Sequence, residues 1–307
     1  MGLGDIKFSQ ATNAKCVIEQ ADGTMQRAIH VAIGNTDINT AYLNVGQAFF
    51  LKVKQGLVPG HSTVSKFGVN PEISPATDPE DVWHFGGIYT YDADGTAPIV
   101  SLISDDAGDT QEIIVQGLDI NGDETSQTLT LTGTTRVALT TPLWRVFRMW
   151  NNGTTDIAGT VYCYTGTGGV PAASAVRATI SGDHNQTLIA LYTIPNGKVG
   201  FLHRLESGVE LEGNAGALAE YAHVHLETRK LGKVFRIKKS YTNLVGGSAN
   251  YLDLCTFPNV FVSQTDIKMR VVVVTQTMGV WGAFDILLVD EDLFPDSYLT
   301  SIGQPGY

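Results

Sequence analysis

The sequence predicts an all-β protein, and three observations carry that expectation. Charged residues make up only 17% of the chain while Gly occupies 33 of 307 positions, a mixture that suits short strands and tight turns better than long surface helices. Apolar and polar residues alternate at period two in run after run, the spacing of half-buried strands. Gly, Asn, Asp and Pro bound those runs, as turn residues do. With 43% hydrophobic residues the chain can bury ordinary cores, and its length allows two or three domains.

In chain order, strand-like runs occupy 15–20, 27–33, 47–54, 98–103, 111–117, 125–131, 143–150, 159–165, 186–193, 199–205, 219–229, 233–241, 249–255, 267–275 and 280–289. Between two of them lies Asp119-Ile120-Asn121-Gly122-Asp123, whose Asn-Gly pair supplies the positive φ angles of a type I′ hairpin turn. Ile194-Pro195-Asn196-Gly197-Lys198 marks another turn, expected to join a second strand pair. Over 215–227, Ala, Leu and Glu favour helix, but Ala222, Val224 and Leu226 alternate with Tyr221, His223 and His225, and strand is preferred.

Closely spaced prolines and the acidic stretch Asp78-Pro79-Glu80-Asp81 make 56–87 an extended connector leading to Trp83. The small-residue run 165–175 reads as a hinge. The expected division is an N-terminal arm or small β region with its connector (1–80), a first β-sandwich (81–168), a second, jelly-roll-like sandwich (169–290) and a tail (291–307).

Twenty basic against 31 acidic residues give a net charge of -11, which repels a phosphate backbone and argues against duplex nucleic acid as a partner. No basic region followed by an apolar one opens the chain, and no apolar run is long enough to span a bilayer, so a cytosolic product without a membrane partner is expected. Cys16, Cys163 and Cys255 are far apart and form no CxxC, so they read as reduced apolar fillers, not as a disulfide or zinc framework. Val161 and Cys163 would share one strand face.

Candidate sites have simple structural readings. The loop from Asp119 to Glu124 offers oxygens at alternate positions but lacks the Gly and the acid that a calcium loop needs, and the hairpin accounts for it. Asp92 and Asp94 read as an acidic surface turn, and Asp105, Asp106, Asp109 and Glu112 as solvated surface. His223 and His225 point the same way from a strand, but no third metal ligand lies near them in sequence. The Gly-rich run at 166–169 lacks the Lys of a phosphate loop, and no hydrolase, zinc-protease or dinucleotide motif is present. The expectation is therefore no catalytic residue, no metal and no cofactor. The basic segment Arg229, Lys230, Lys233, Arg236, Lys238 and Lys239 stands out in an acidic chain. It suits either an acidic partner surface, such as 78–81 or 105–112 of a neighbouring copy, or a strand edge guarded by lysines. Trp83 and the terminal Tyr307 complete the candidate interaction residues.

Several blocks together resemble an uncharacterised family of tailed-bacteriophage virion structural proteins found in phages of aquatic bacteria. They are Val64 to Pro71 with Glu80 to Trp83 and Gly86 to Tyr89; Gln116 to Asp119; Ala138 to Pro142 with Arg145 to Arg148; Gln186 to Leu188 with Tyr192 to Lys198; and Gly279 to Leu288. The resemblance spans about 56 to 290 and carries over no catalytic residue. It implies a virion protein made in the host cytoplasm. The leading expectation is a capsid decoration or cement protein, a homo-oligomer expected as a trimer, bound to the major capsid protein. The alternatives are a neck or tail component contacting portal or tail proteins, and a host-glycan module using Trp83, Trp144, Trp150 and Trp281.

Overall fold

A turn chemistry written into the sequence closes the most regular hairpin of the molecule. In this computed structural model, which describes residues 17–19, 25–27, 49–182, 184–210, 220–244 and 250–303, Gly122 takes φ 80°. Asn121 is not at positive φ, so the hairpin is present but its turn is not the type I′ expected, which needs two such residues. The Asp119 carboxylate accepts the N–H groups of Asn121 and Asp123 at 2.8 and 3.0 Å. Those bonds tie the turn to itself, as Asx turns do.

The chain forms two units, 1–58 and 59–307. In the first, β1 (Val17–Glu19) pairs antiparallel with β2 (Met25–Arg27), and residues 49–54 are helical. The strand expected over 47–54 is thus a helix in its described part. Its Phe-Phe-Leu-Lys-Val-Lys pattern suits either period over so short a run.

The second unit begins with β3 (His61–Ile73) and β4 (Glu80–Asp81). Next come β5 (Ile99–Ser104), β6 (Glu112–Leu118), β7 (Glu124–Thr130), β8 (Val137–Leu143), β9 (Arg145–Asn151), β10 (Val161–Thr165) and β11 (Val176–Ile180). The last set is β12 (Leu191–Thr193), β13 (Lys198–Glu210), β14 (Tyr221–Arg229), β15 (Arg236–Leu244), β16 (Tyr251–Asp253), β17 (Val260–Phe261), β18 (Asp266–Val274) and β19 (Met278–Asp290), followed by a helix, Asp296–Gly303. The all-β class is what the structure shows.

Two sandwiches result. In one, sheet β11-β10-β5-β8 faces sheet β7-β6-β9 across a core that includes Leu102, Ile113, Val115, Met149, Val161, Cys163 and Ile180. Val161 and Cys163 do share the buried face, and burial pushes the Cys163 thiol up to about 12. In the other, sheet β12-β18-β14-β15, with β4 on β18, faces sheet β16-β13-β19-β3, with β17 on β13. Ala222, Val224 and Leu226 of β14 enter that core as their alternation required. Leu118, Trp144 and Phe147 reach into it from the first sandwich, so the two bodies share packing along a seam.

Three local expectations change. The supposed connector contains β3, which pairs with β19 from His61↔Val289 to Ile73↔Met278, so the second sandwich is built from residues on both sides of the first. The alternation of β3 is hidden because its inward positions Lys66, Gly68 and Asn70 are polar or bare. A Cβ on Gly68 would lie 2.3 Å from the Ala190 nitrogen and 2.7 Å from the Val82 carbonyl oxygen, so close backbone crossing excludes a side chain there. The run 165–175 joins β10 to β11, which pair with each other, and is a hairpin loop instead of an interdomain hinge. The turn at 194–198 carries the chain from β12 in one sheet to β13 in the other, so these strands are not a hairpin. Pro and Gly mark a reversal of direction but do not say which sheet receives the next strand.

Candidate interaction site

The seam is held by charge. Asp81, fully buried, accepts from Lys268 Nζ at 3.0 Å and Arg270 Nε at 2.8 Å, and from the Tyr89 N–H at 2.8 Å. Asp266 accepts from Arg145 Nε at 3.0 Å, from the Thr193 hydroxyl at 2.6 Å and from Arg229. Arg177 grips Asp92 through two hydrogen bonds of 2.8 and 2.7 Å. Glu227 lies 3.7 Å from Lys268 and 3.8 Å from Arg270, and Asp94 lies 3.7 Å from Arg145. The five cations Arg145, Arg177, Arg229, Lys268 and Arg270 thus meet the five carboxylates Asp81, Asp92, Asp94, Glu227 and Asp266. Tyr91 and Phe235 cover the network, each ring centroid 5.0 Å from the Arg229 guanidinium. A balanced set of this kind has no charge left over for a ligand, and it joins the β9 end of one sandwich to β14 and β18 of the other.

The basic segment divides accordingly. Arg229 is spent on Asp266 inside the network. Lys230 donates to the Ile302 carbonyl oxygen of the C-terminal helix at 3.1 Å. Lys239 pairs with Asp253 at 3.0 Å, where its hydrogen bond with that carboxylate holds its pKa above the usual value. Lys233 is exposed in the turn, and Arg236 is exposed at the start of β15. Burial lowers the pKa of Lys230 and of Lys238, and the neighbouring Arg236 lowers both further, placing the three cations together. The surface remnant is therefore Lys230, Lys233, Arg236 and Lys238 beside the exposed side chains of Leu231, Val234 and Ile237. β15 is an edge strand among the described residues.

Trp83 is a correction. It is only 3% exposed, donates Nε1–H to the Gly87 carbonyl oxygen at 3.0 Å and packs against Phe85 and Tyr89, so it is a core residue unable to meet a partner. Trp144 is equally buried, whereas Trp150 and Trp281 are half-buried. Tyr307 and Cys16 lie outside the described residues.

The acidic stretches divide as well, with Asp105 exposed and Asp78, Asp106 and Glu112 half-buried. Glu80 and Asp81 are buried, and so is Asp109, which accepts from Ala158 N–H, Gly159 N–H and the Ser104 hydroxyl at 2.9, 3.1 and 2.6 Å. Burial alone would raise the Asp109 pKa, but these donors outweigh it and hold the carboxyl below its ordinary value. Asp92 and Asp94 belong to the network and are not a free surface turn. His223 and His225 do stand side by side, ring centroids 5.0 Å apart, with His223 bonded to Ser240 and His225 3.7 Å from Glu227. Among the described residues no group of three or more His, Cys, Asp and Glu is gathered as a metal would need. No helix among them is long and apolar enough to cross a membrane.

Two clusters escaped sequence reasoning. His84 and His184 meet with ring centroids 4.8 Å apart. Lys66 of β3 and Arg148 of β9 line one small pocket at the seam, although Lys66 lies in the supposed connector and neither residue has a local signature.

No family model matches the chain, and no curated protein matches it. Among solved structures, a structure of infectious bursal disease virus Gt strain aligns over 80% of this chain and 79% of that one, at 11% identity and a TM-score of 0.21. A structure of the Gx strain aligns over the same shares at 9% identity and a TM-score of 0.23. The VP2 subviral particle of that virus aligns over 76% and 74% at 10% identity and a TM-score of 0.17. Superpositions this loose carry no argument about fold or function.

Proposed function

We propose that the protein is a structural component of a bacteriophage particle, a decoration or cement protein that self-associates as a trimer on the shell and ties major capsid protein subunits together. The observation that carries the reading is the β15 edge. Ile237 of β15 is 55% exposed and Val234, just before the strand, 72%, near Lys230, Lys233, Arg236 and Lys238. A strand edge offers unpaired N–H and C=O groups to another chain, and exposed apolar side chains add contact area. Lysines alone would guard such an edge. Interleaved with exposed Val and Ile in a chain of net charge -11, they attract acidic neighbours, including further copies of this chain. The neutral network at the seam keeps the two sandwiches as one stiff block, which suits a role in bearing load and not in turnover. The resemblance to phage virion proteins points the same way.

The experiment is quantitative stoichiometry of purified particles against the major capsid protein. A ratio of about one, or a simple fraction such as about a third, supports cement on a symmetric shell. A dozen copies or so per particle would move the protein to the neck or tail, where portal or tail proteins are its partners, because those assemblies are small closed rings. Absence from the particle would overturn the virion reading. The host-glycan alternative has lost Trp83 and Trp144 to the core, and a glycan array without a binder would dispose of it.

A further inference from the structure

We propose that Lys66 and Arg148 form a binding site for a small tetrahedral dianion, sulfate or phosphate, at the seam between the two sandwiches. Lys66 is 6% exposed and points inward from β3, and its ammonium donates to the Phe147 carbonyl oxygen and sits 5.8 Å from the Phe147 ring centroid. An ammonium has three N–H donors, so two remain. The Arg148 guanidinium lies over the Trp150 ring at 5.3 Å and enters no hydrogen bond or ion pair among the described residues. Both residues line one pocket with Ser65, Phe67, Gln186 and Thr187. The Ser65 hydroxyl is committed to Asp285 and that of Thr187 to the Met149 backbone, which leaves the Gln186 amide as the further donor.

A buried cation without a counter-ion is costly, and a second cation beside it is more so. The nearby seam network places a carboxylate against every cation it contains. This pocket departs from that pattern in holding two positive charges and no negative one, so a ligand of charge -2 balances it. The cavity is about 80 Å³, room for a few waters or one small oxyanion. Arg presents a planar fork of donors suited to oxyanions, and Lys a point charge. Burial, with Arg148 adding to it, pulls Lys66 down to about 7; an anion between the two reverses both effects and holds the proton on.

The test is titration calorimetry of the intact protein with sodium sulfate, with sodium chloride at equal ionic strength as control. Sulfate remains divalent across the range, so the pH profile reads the protein alone. The expected result is sulfate binding, with the affinity falling about tenfold per pH unit above about 7 as free Lys66 sheds its proton. Lys66→Met abolishes binding. Arg148→Gln, a change at an exposed position that leaves the fold intact, weakens it at least about tenfold while keeping the pH slope. Phosphate binds as sulfate does near neutral pH. Absence of sulfate binding to the intact protein, binding retained in Lys66→Met, a pH-independent affinity, or tighter binding of acetate than of sulfate would each overturn the assignment. The measurement uses isolated protein, so its outcome is separate from that of the particle stoichiometry.

Discussion

Two groups of charges sit on the same seam and are treated oppositely. Around Asp81 and Asp266, five cations face five carboxylates, and aromatic rings close over them. Around Lys66 and Arg148, two cations share a pocket with no acid. Burial costs a charge several kcal/mol unless a partner is fixed opposite it. The first group meets that cost inside the chain and becomes a fastener. The second leaves it unmet at Lys66, with the exposed Arg148 beside it, and stays available to something outside. Balance of charge, more than density of charge, separates structure from site in this molecule.

The comparison can be broken most sharply at Asp266. Asp266→Ala strands Arg145 and Arg229 and should cost about 3–5 kcal/mol in urea unfolding. Replacing Asp266, Arg145 and Arg229 together by Leu, Met and Met should cost less than the single change, because no charge is left uncompensated. Equal losses would mean that packing, and not charge balance, holds the seam. Gly68→Ala tests the backbone crossing that places Lys66, and should cost about 1–3 kcal/mol by overpacking against Ala190 and Val82.

Lys66→Met tests the unbalanced side. The unfolded chain keeps the Lys66 proton up to 10.5 whereas the folded chain releases it near 7. Between those values the unfolded state therefore binds more protons, and stability rises with pH. In anion-free buffer the wild type should gain on Lys66→Met by about 1.4 kcal/mol per pH unit through that window, and below about 7 the variant should be the more stable of the two. A flat difference would show that folding does not lower the pKa of this amine. The smallest effect on stability is expected from Ile237→Glu at the β15 edge, within about 0.5 kcal/mol. The same change should abolish self-association in sedimentation if the edge is the contact.

The parts of the fold that could be read in advance are those fixed by neighbours in sequence. The β6–β7 hairpin follows from Asp119 and Gly122, and β14 follows from the alternation of Ala222, Val224 and Leu226. β3 was hidden because Lys66, Gly68 and Asn70 occupy the positions where alternation shows apolar residues. Partnership across long separations was equally invisible. Asp81 and Lys268 are 187 positions apart, and nothing local marks Asp81 as a buried acid within its acidic stretch. The basic segment was visible as a segment, but Arg229 and Lys239 have carboxylate partners within the fold, and Lys230 is bonded to the C-terminal helix. Trp83 carries no local mark separating a core indole from an exposed one.

Because β3 opens the second unit and its partner β19 closes the sheets, synthesis completes the two sandwiches in a different order from their first appearance. Strands β5 to β11 emerge as one uninterrupted block and can close while the ribosome is still making the rest. β3 and β4 must wait for β19 and β18, almost the whole length of the unit, and long loop closure of this kind is slow. During that interval the nascent chain carries an unpaired edge strand, the state in which β proteins join the wrong neighbour. A chain cut short before β19 would keep β3 unpaired for good, so translation through β19 is itself a condition for the protein to remain unaggregated.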